Sequence, residues 1–190
     1  MSLVLTGSAD HAMLALAISE ARQAADQTDW WVGRTAVQKI MYFLQVTGVP
    51  MTYRFSIHHY GPFCGEILRD TEWLIADGVI ADQSITQEQY SSYAPGSSLD
   101  DLLSMHRDLV AKWRPVVQNV VKALVPLRPE RMEEIATLDY VFRQEKAVTE
   151  GAPNKDSVVE RFMQAKRDKF PRNEVEKLYD AMSAAGLLRA

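Results

Sequence analysis

Almost everything that announces a chemistry by motif is missing from this chain. A single cysteine, Cys64, among 190 residues excludes any intrachain disulfide framework. No apolar run approaches the ~18 residues that cross a bilayer. The opening residues carry no charged segment followed by an apolar core and an Ala-x-Ala site, so nothing addresses the chain for export, and the cytoplasm is the expected compartment. Cys-x-x-Cys and His-Glu-x-x-His are absent, and neither a metal nor any other cofactor is expected. G-x-S-x-G, G-x-G-x-x-G and the P-loop pattern are absent as well. There is no basic surplus either. Residues 1–126 carry 9 Lys and Arg against 13 Asp and Glu, and residues 127–190 carry 12 of each, so neither part is a polyelectrolyte binder.

What is present is a helical pattern with a hydrophobic content of 47%, enough to bury a core. Ser8 is placed to cap a helix running to about Asp26, with Leu14, Ala17, Ile18, Ala21 and Ala25 on one face. Thr-Ala-Val-Gln at 35–38 has the form of a capping box, and the helix it opens stops at Gly48. Tyr53, Phe55 and Ile57 alternate through an extended crossing. The pair Gly61-Pro62 reads as a turn with Pro62 at the first position of a helix to about Asp77. Val79-Ile80-Ala81 and the later Gln-Tyr-Ser-Ser-Tyr read as two short strands. Three helices followed by a hairpin is the order of a winged helix-turn-helix.

From Leu99 the periodicity changes. Leu99, Leu103, His106, Val110, Trp113, Val117, Val120 and Leu124 alternate spacings of four and three, widened by Leu102, Leu109 and Val116. This is the pattern of one long helix with a broad apolar stripe, kinked at Pro115. The stripe covers more than one small unit is expected to hide, so a homodimer is expected with Trp113 as anchor. Leu-Val-Pro-Leu-Arg-Pro, with Pro126 and Pro129, breaks the pattern. Beyond it come a helix through Met132, Ile135, Leu138 and Phe142, a loop at 150–154, and helices over roughly 156–168 and 172–185. The segments 73–80 and 181–188 both place Gly after a helix and before aliphatics, which admits a second, degenerate winged-helix-like unit.

The run Phe-Ser-Ile-His-His-Tyr-Gly-Pro-Phe-Cys-Gly-Glu-Ile, residues 55–67, concentrates the reactive side chains. His58 and His59 are adjacent and point to opposite faces of an extended segment, which disfavours a shared metal. Cys64, read in a helix first turn with His59 as base, makes the sharpest catalytic pair, Cys64 and His59. The plainer reading makes Cys64 a small buried residue where strand meets helix, and no third orienting group is evident. For DNA, helix 62–77 carries Glu66, Asp70, Glu72 and Asp77 against Arg69 alone, and segment 79–94 has no Lys or Arg. The remaining basic patch is Lys166, Arg167, Lys169 and Arg172. Trp30 and Trp31 cannot both point inward from an extended segment, and with His58 and Trp113 they are the candidate partner-binding residues.

The run Val-Gln-Lys-Ile-Met-Tyr-Phe-Leu-Gln, a Gly shortly after it, the Tyr-Gly-Pro segment and Leu-Ile-Ala-Asp-Gly-Val-Ile resemble the YwgA-like proteins. They are more distantly similar to the Panacea domain of SocA-type antitoxins and adaptors. The similarity covers residues 32–80 and 136–188. Ser or Thr is expected where this chain has Cys64. The resemblance implies a helical, winged-helix-type protein tied to toxin–antitoxin or phage-defence biology, with no known chemistry.

The sequence thus describes a mainly α protein. Its parts are a winged helix-turn-helix-like N-terminal unit with a small β-hairpin (1–98), a long kinked connecting helix (99–126) and a C-terminal helical unit (127–190), plain or second winged-helix-like. The expected function is a non-enzymatic protein-interaction module, antitoxin-like or adaptor-like, whose partner is a protein such as a toxin. The alternatives are a regulator binding DNA through Lys166, Arg167, Lys169 and Arg172, and an enzyme with Cys64 as nucleophile. No membrane association is expected. On these charges, duplex DNA is expected to bind only nonspecifically. Titration against a genomic fragment pool at ~0.15 M salt, where the Debye length is about 8 Å, checks this, and submicromolar sequence-selective binding would refute it.

Overall fold

The structure is a computed structural model that describes residues 4–25, 32–84, 91–149, 151–167 and 169–188. It is mainly helical, with two small antiparallel hairpins among the described residues. No helix among these residues is long and apolar enough to cross a membrane. The chain divides into two compact units. Unit 1 comprises 1–55 and 64–129, and unit 2 comprises 56–63 and 130–190. The second unit therefore contains a short piece of the N-terminal sequence.

Unit 1 is built around α1 (Ala9–Ala25), which is buried without interruption from His11 to Ala21. Its alanines let neighbours approach closely, and α5 (Arg107–Leu124) is packed along it, with α2 (Arg34–Val46), α3 (Gly65–Ala76) and β4 (Tyr93–Pro95) also against it. Ser8 performs the expected cap, its Oγ accepting from the His11 amide at 3.1 Å. The capping box at 35–38 does not form. Gly33 is the N-cap of α2 without a side-chain bond. Gln38 is instead buried, with Oε1 accepting from the Cys64 amide and Nε2 donating to the Cys64 carbonyl, both at 2.9 Å. A two-way clamp on a distant backbone outcompetes a local cap.

The turn at Gly61-Pro62 also differs from the expectation. Residues 61–63 form β2 (Gly61–Phe63), paired with β1 (Ser56–His58), and α3 starts only at Gly65. Pro62 thus lies in a strand, and Cys64 is the N-cap of α3, not a first-turn residue. The second hairpin pairs β3 (Ile80–Asp82) with β4. Helix order followed by this hairpin matches the winged-helix order, with β1–β2 as an excursion between α2 and α3.

The long helix is broken, and not at Pro115. α4 (Leu99–Met105) ends at His106, whose backbone at φ −119°, ψ 33° leaves helical geometry, and α5 then runs through Pro115. His106 Nε2 meets the Gly7 carbonyl at 2.8 Å. The buried stripe comprises Leu99, Leu102, Val110, Val117, Val121 and Leu124, with Val121 in place of Val120. These residues are buried within the single chain, with α1 and α2 packed on α5.

In unit 2, α6 (Pro129–Val148), α7 (Lys155–Lys166) and α8 (Arg172–Ala184) enclose a core of Leu138, Phe142, Val158, Phe162, Val175 and Leu178. No strand follows α8 among the described residues. The likeness of segments 73–80 and 181–188 has a local cause. Gly78 and Gly186, at φ 70° and 67°, both end helices in the Schellman arrangement. Val79 donates to the Leu74 carbonyl and Leu187 to that of Met182, each at 2.9 Å. α2 ends the same way, with Gly48 at φ 93°. Shared cap chemistry is enough to account for the pattern.

Gly96 closes the second hairpin against Gly78. A Cβ built on Gly96 would lie 2.2 Å from the Gly78 carbonyl oxygen, and the Gly96 amide donates to the Val79 carbonyl at 2.9 Å. Backbone on both sides cannot give way cheaply. Gly96→Ala is expected to destabilise the protein by about 1–3 kcal/mol, read as a lower urea midpoint with unchanged slope. Wild-type stability in this variant would refute the close approach.

Candidate functional site

The reactive-looking residues fall into three separate settings. The first is a polar network inside unit 1 around Asp70, which is only 5% exposed. The Tyr53 hydroxyl donates to Asp70 Oδ2 at 3.0 Å, and Arg69 donates to Oδ1 through Nε and Nη2. Burial, reinforced by the Asp70 charge, pushes the Tyr53 phenol far above its ordinary range. His11 Nδ1 accepts from the Gly7 amide at 3.1 Å, which leaves Nε2 as the protonated nitrogen, 3.7 Å from Asp70 Oδ2. The buried members, Asp70, Tyr53 and His11, are each engaged by another member or by backbone. The Asp70 and Asp77 counted as DNA-repelling charges on α3 are thus occupied inside the fold, Asp77 by the Leu5 and Thr6 amides and the Thr6 hydroxyl. Burial raises the Asp77 carboxyl, but the Thr6 and Leu5 hydrogen bonds outweigh it and hold the group below its ordinary value. The exposed charges of α3 remain Glu66, Arg69 and Glu72, net acidic.

The second setting is Cys64. The thiol is buried, and its hydrogen-bond partner is Glu66 Oε2 at 4.0 Å. Glu66 brings to the thiol no positive charge of the kind found beside reactive cysteines. His59 belongs to the other unit, with its ring edge-on to Tyr60 at 4.8 Å. The structure thus places the proposed pair, Cys64 and His59, in different surroundings, each with its own neighbours.

The third setting is the β1–β2 hairpin in unit 2. All of β1 is exposed, Ile57 to 37%, and Tyr60 at the turn to 57%. His58 packs on Phe63, ring centroids 5.1 Å apart. The backbone of this exposed turn is held from below. Lys166 Nζ donates to the His59 carbonyl at 2.8 Å and to Glu133 Oε1 at 2.8 Å. Lys169 Nζ donates to both oxygens of Glu133 and sits 5.2 Å from the Tyr60 ring centroid. Lys166 and Glu133 side chains are 1% and 3% exposed. Desolvation pulls the Lys166 ammonium below its ordinary value, against the support of Glu133.

This arrangement dismantles the basic patch. Lys166 and Lys169 are committed to Glu133, and Arg172 to Glu160 and Glu176. Arg167, in the left-handed conformation that ends α7, is exposed. Arg167 thus faces outward without a carboxylate partner among the described residues, and the other three cations are each paired with one. Trp30 and Trp31 lie outside the described residues. Trp113 is half-buried on α5, with Lys112 Nζ 5.2 Å from its ring centroid and an indole N–H that meets no acceptor among the described residues. No group of three or more metal-ligating side chains is assembled among the described residues.

Glu133, Ile57 and Tyr60 are not among the site residues expected from the sequence. One signal was available: Lys166 falls in step with Val158, Val159 and Phe162, the buried residues of α7. A lysine on an apolar face implies a buried carboxylate partner. No family model matches the chain, and no curated protein matches it.

Removing Glu133 leaves a buried ammonium without its counter-charge. Glu133→Ala is expected to cost about 3–5 kcal/mol, whereas Lys169→Ala, at a side chain 33% exposed, is expected to cost at most ~1 kcal/mol. Urea unfolding of both variants checks the order, and equal losses would refute the buried role of Lys166.

Proposed function

We propose that this chain is a non-enzymatic protein-interaction module, antitoxin-like or adaptor-like, on a winged-helix scaffold working in the cytoplasm. The hairpin at Ser56–Phe63 is its partner-binding surface. One observation carries the reading: an exposed turn bearing Ile57, His58, His59 and Tyr60 is anchored through its backbone to a buried ion pair. An aromatic-rich loop ordered before binding pays little entropy on association, which suits a docking element. The two alternatives have weaker support, since Lys166, Lys169 and Arg172 are each paired with a carboxylate and the thiol is buried with Glu66 as its hydrogen-bond partner. The resemblance to YwgA-like and SocA-type proteins is consistent with a toxin as the partner.

The test is affinity purification from the native host with tagged wild type and the double variant Ile57→Asp, Tyr60→Ser. A protein recovered in near-equal amount with wild type, and reduced at least about tenfold with the variant, ~1.4 kcal/mol, supports the reading. Absence of any stoichiometric protein, or undiminished recovery by a folded variant, overturns it.

A further inference from the structure

A two-stranded sheet has two outer edges, and here they differ. The register pairs Ser56 with Phe63, Ile57 with Pro62 and His58 with Gly61. Antiparallel pairs alternate between those that exchange two hydrogen bonds and those that exchange none. Proline has no N–H to exchange, so Ile57 and Pro62 must be a non-bonded pair. It follows that the N–H and C=O of Ile57 point away from β2, along the outer edge of β1. Outside the ladder, no hydrogen bond engages either group among the described residues. The outer edge of β2 presents Pro62, which cannot donate. One edge of this sheet accepts a strand, and the other is blocked.

Natural sheets blunt open edges with charge, proline or a covering element. Among the described residues β1 has none of these: it is Ser-Ile-His, exposed throughout. The hairpin itself carries no acidic side chain: residues 56–63 contain two histidines and no Asp or Glu. At the turn, Lys166 and Lys169 share the single carboxylate of Glu133, which leaves a surplus positive charge there.

We infer that the outer edge of β1 receives an extended, acidic segment of the partner protein by strand addition, main chain bonding to Ile57 and carboxylates facing the Lys169–Tyr60 end of the hairpin. This deepens the interaction reading and rests on it. Strand addition draws affinity from main-chain bonds and selectivity from alternate side chains, so a three-residue edge is matched by a short linear segment.

The test pans a display library of 12-residue linear peptides on the full chain at ~0.15 M salt. Enriched peptides are expected to be acidic and to bind at least tenfold more weakly to Ile57→Pro, which removes the outward N–H. They should also bind more weakly to Ile57→Asp, which keeps the N–H and adds a like charge. Thermal melts establish that each variant is folded, and if Ile57→Pro is not, Ile57→Asp together with alternate N-methylation of the peptide decides. Failure to enrich peptides, enrichment without acidic bias, or undiminished binding to the folded variants overturns strand addition. So does a wild-type dimer that Ile57→Asp dissociates, because the edge would then belong to a second copy. A host partner that binds Ile57→Pro as well as wild type, yet is lost with Tyr60→Ser, would preserve the interaction reading while overturning this mode.

Discussion

The contact on which the functional surface depends is the buried pair between Lys166 and Glu133, with the His59 carbonyl as its third member. Burying two charges costs several kcal/mol per ion before their attraction returns it. Such a pair is poor evidence of net stability, but it is demanding about position. The ammonium has three protons, and here the Glu133 carboxylate and the His59 carbonyl take two of them. A shift of the hairpin turn would leave a buried donor unpaired at a cost of about 1–3 kcal/mol. A surface turn whose own side chains are exposed, and therefore contribute little burial, is held in one place from beneath.

Unit 1 solves its polar interior differently. Asp70 gathers Tyr53, Arg69 and His11, and Gln38 seals both backbone groups of Cys64. These groups resemble catalytic inventory when read as residue types. In the fold they are donors and acceptors that satisfy one another, the requirement for any polar group removed from water. The hydrogen bond from Tyr53 to Asp70 also ties the extended crossing to α3, just as Gln38 ties α2 to the start of α3. The polar network therefore does for unit 1 what the Lys166 pair does for unit 2.

The helices over 99–124 carry a pattern whose cover the sequence does not name. Their apolar stripe is real, and its width suggested a face left over for a second chain. α1 turned out to be buried from His11 through Ala21, and a central helix needs neighbours on every side. The surplus on α5 is the complement of that need. The break at His106 has the same origin, because its ring reaches the Gly7 carbonyl that leads into α1. Proline alone signalled a kink by sequence, but the tertiary contact set the place of the interruption.

The sequence by itself determined what depends on near neighbours along the chain. The existence of the helices followed from periodicity, the Ser8 cap from its position, and the three glycine stops from a conformation that glycine adopts without strain. It also determined the mainly helical class and the net acidity of α3. Tertiary structure decided whatever depends on distant partners. Gln38 abandoned a local cap for a backbone 26 residues away, and Lys166 and Lys169 left a supposed basic patch for Glu133. Residues 56–63 departed their own sequence neighbours for the C-terminal unit. Periodicity reports which side of an element faces away from water, but not what stands there. A carboxylate 33 residues away and a carbonyl 107 residues away leave no local trace beside Lys166.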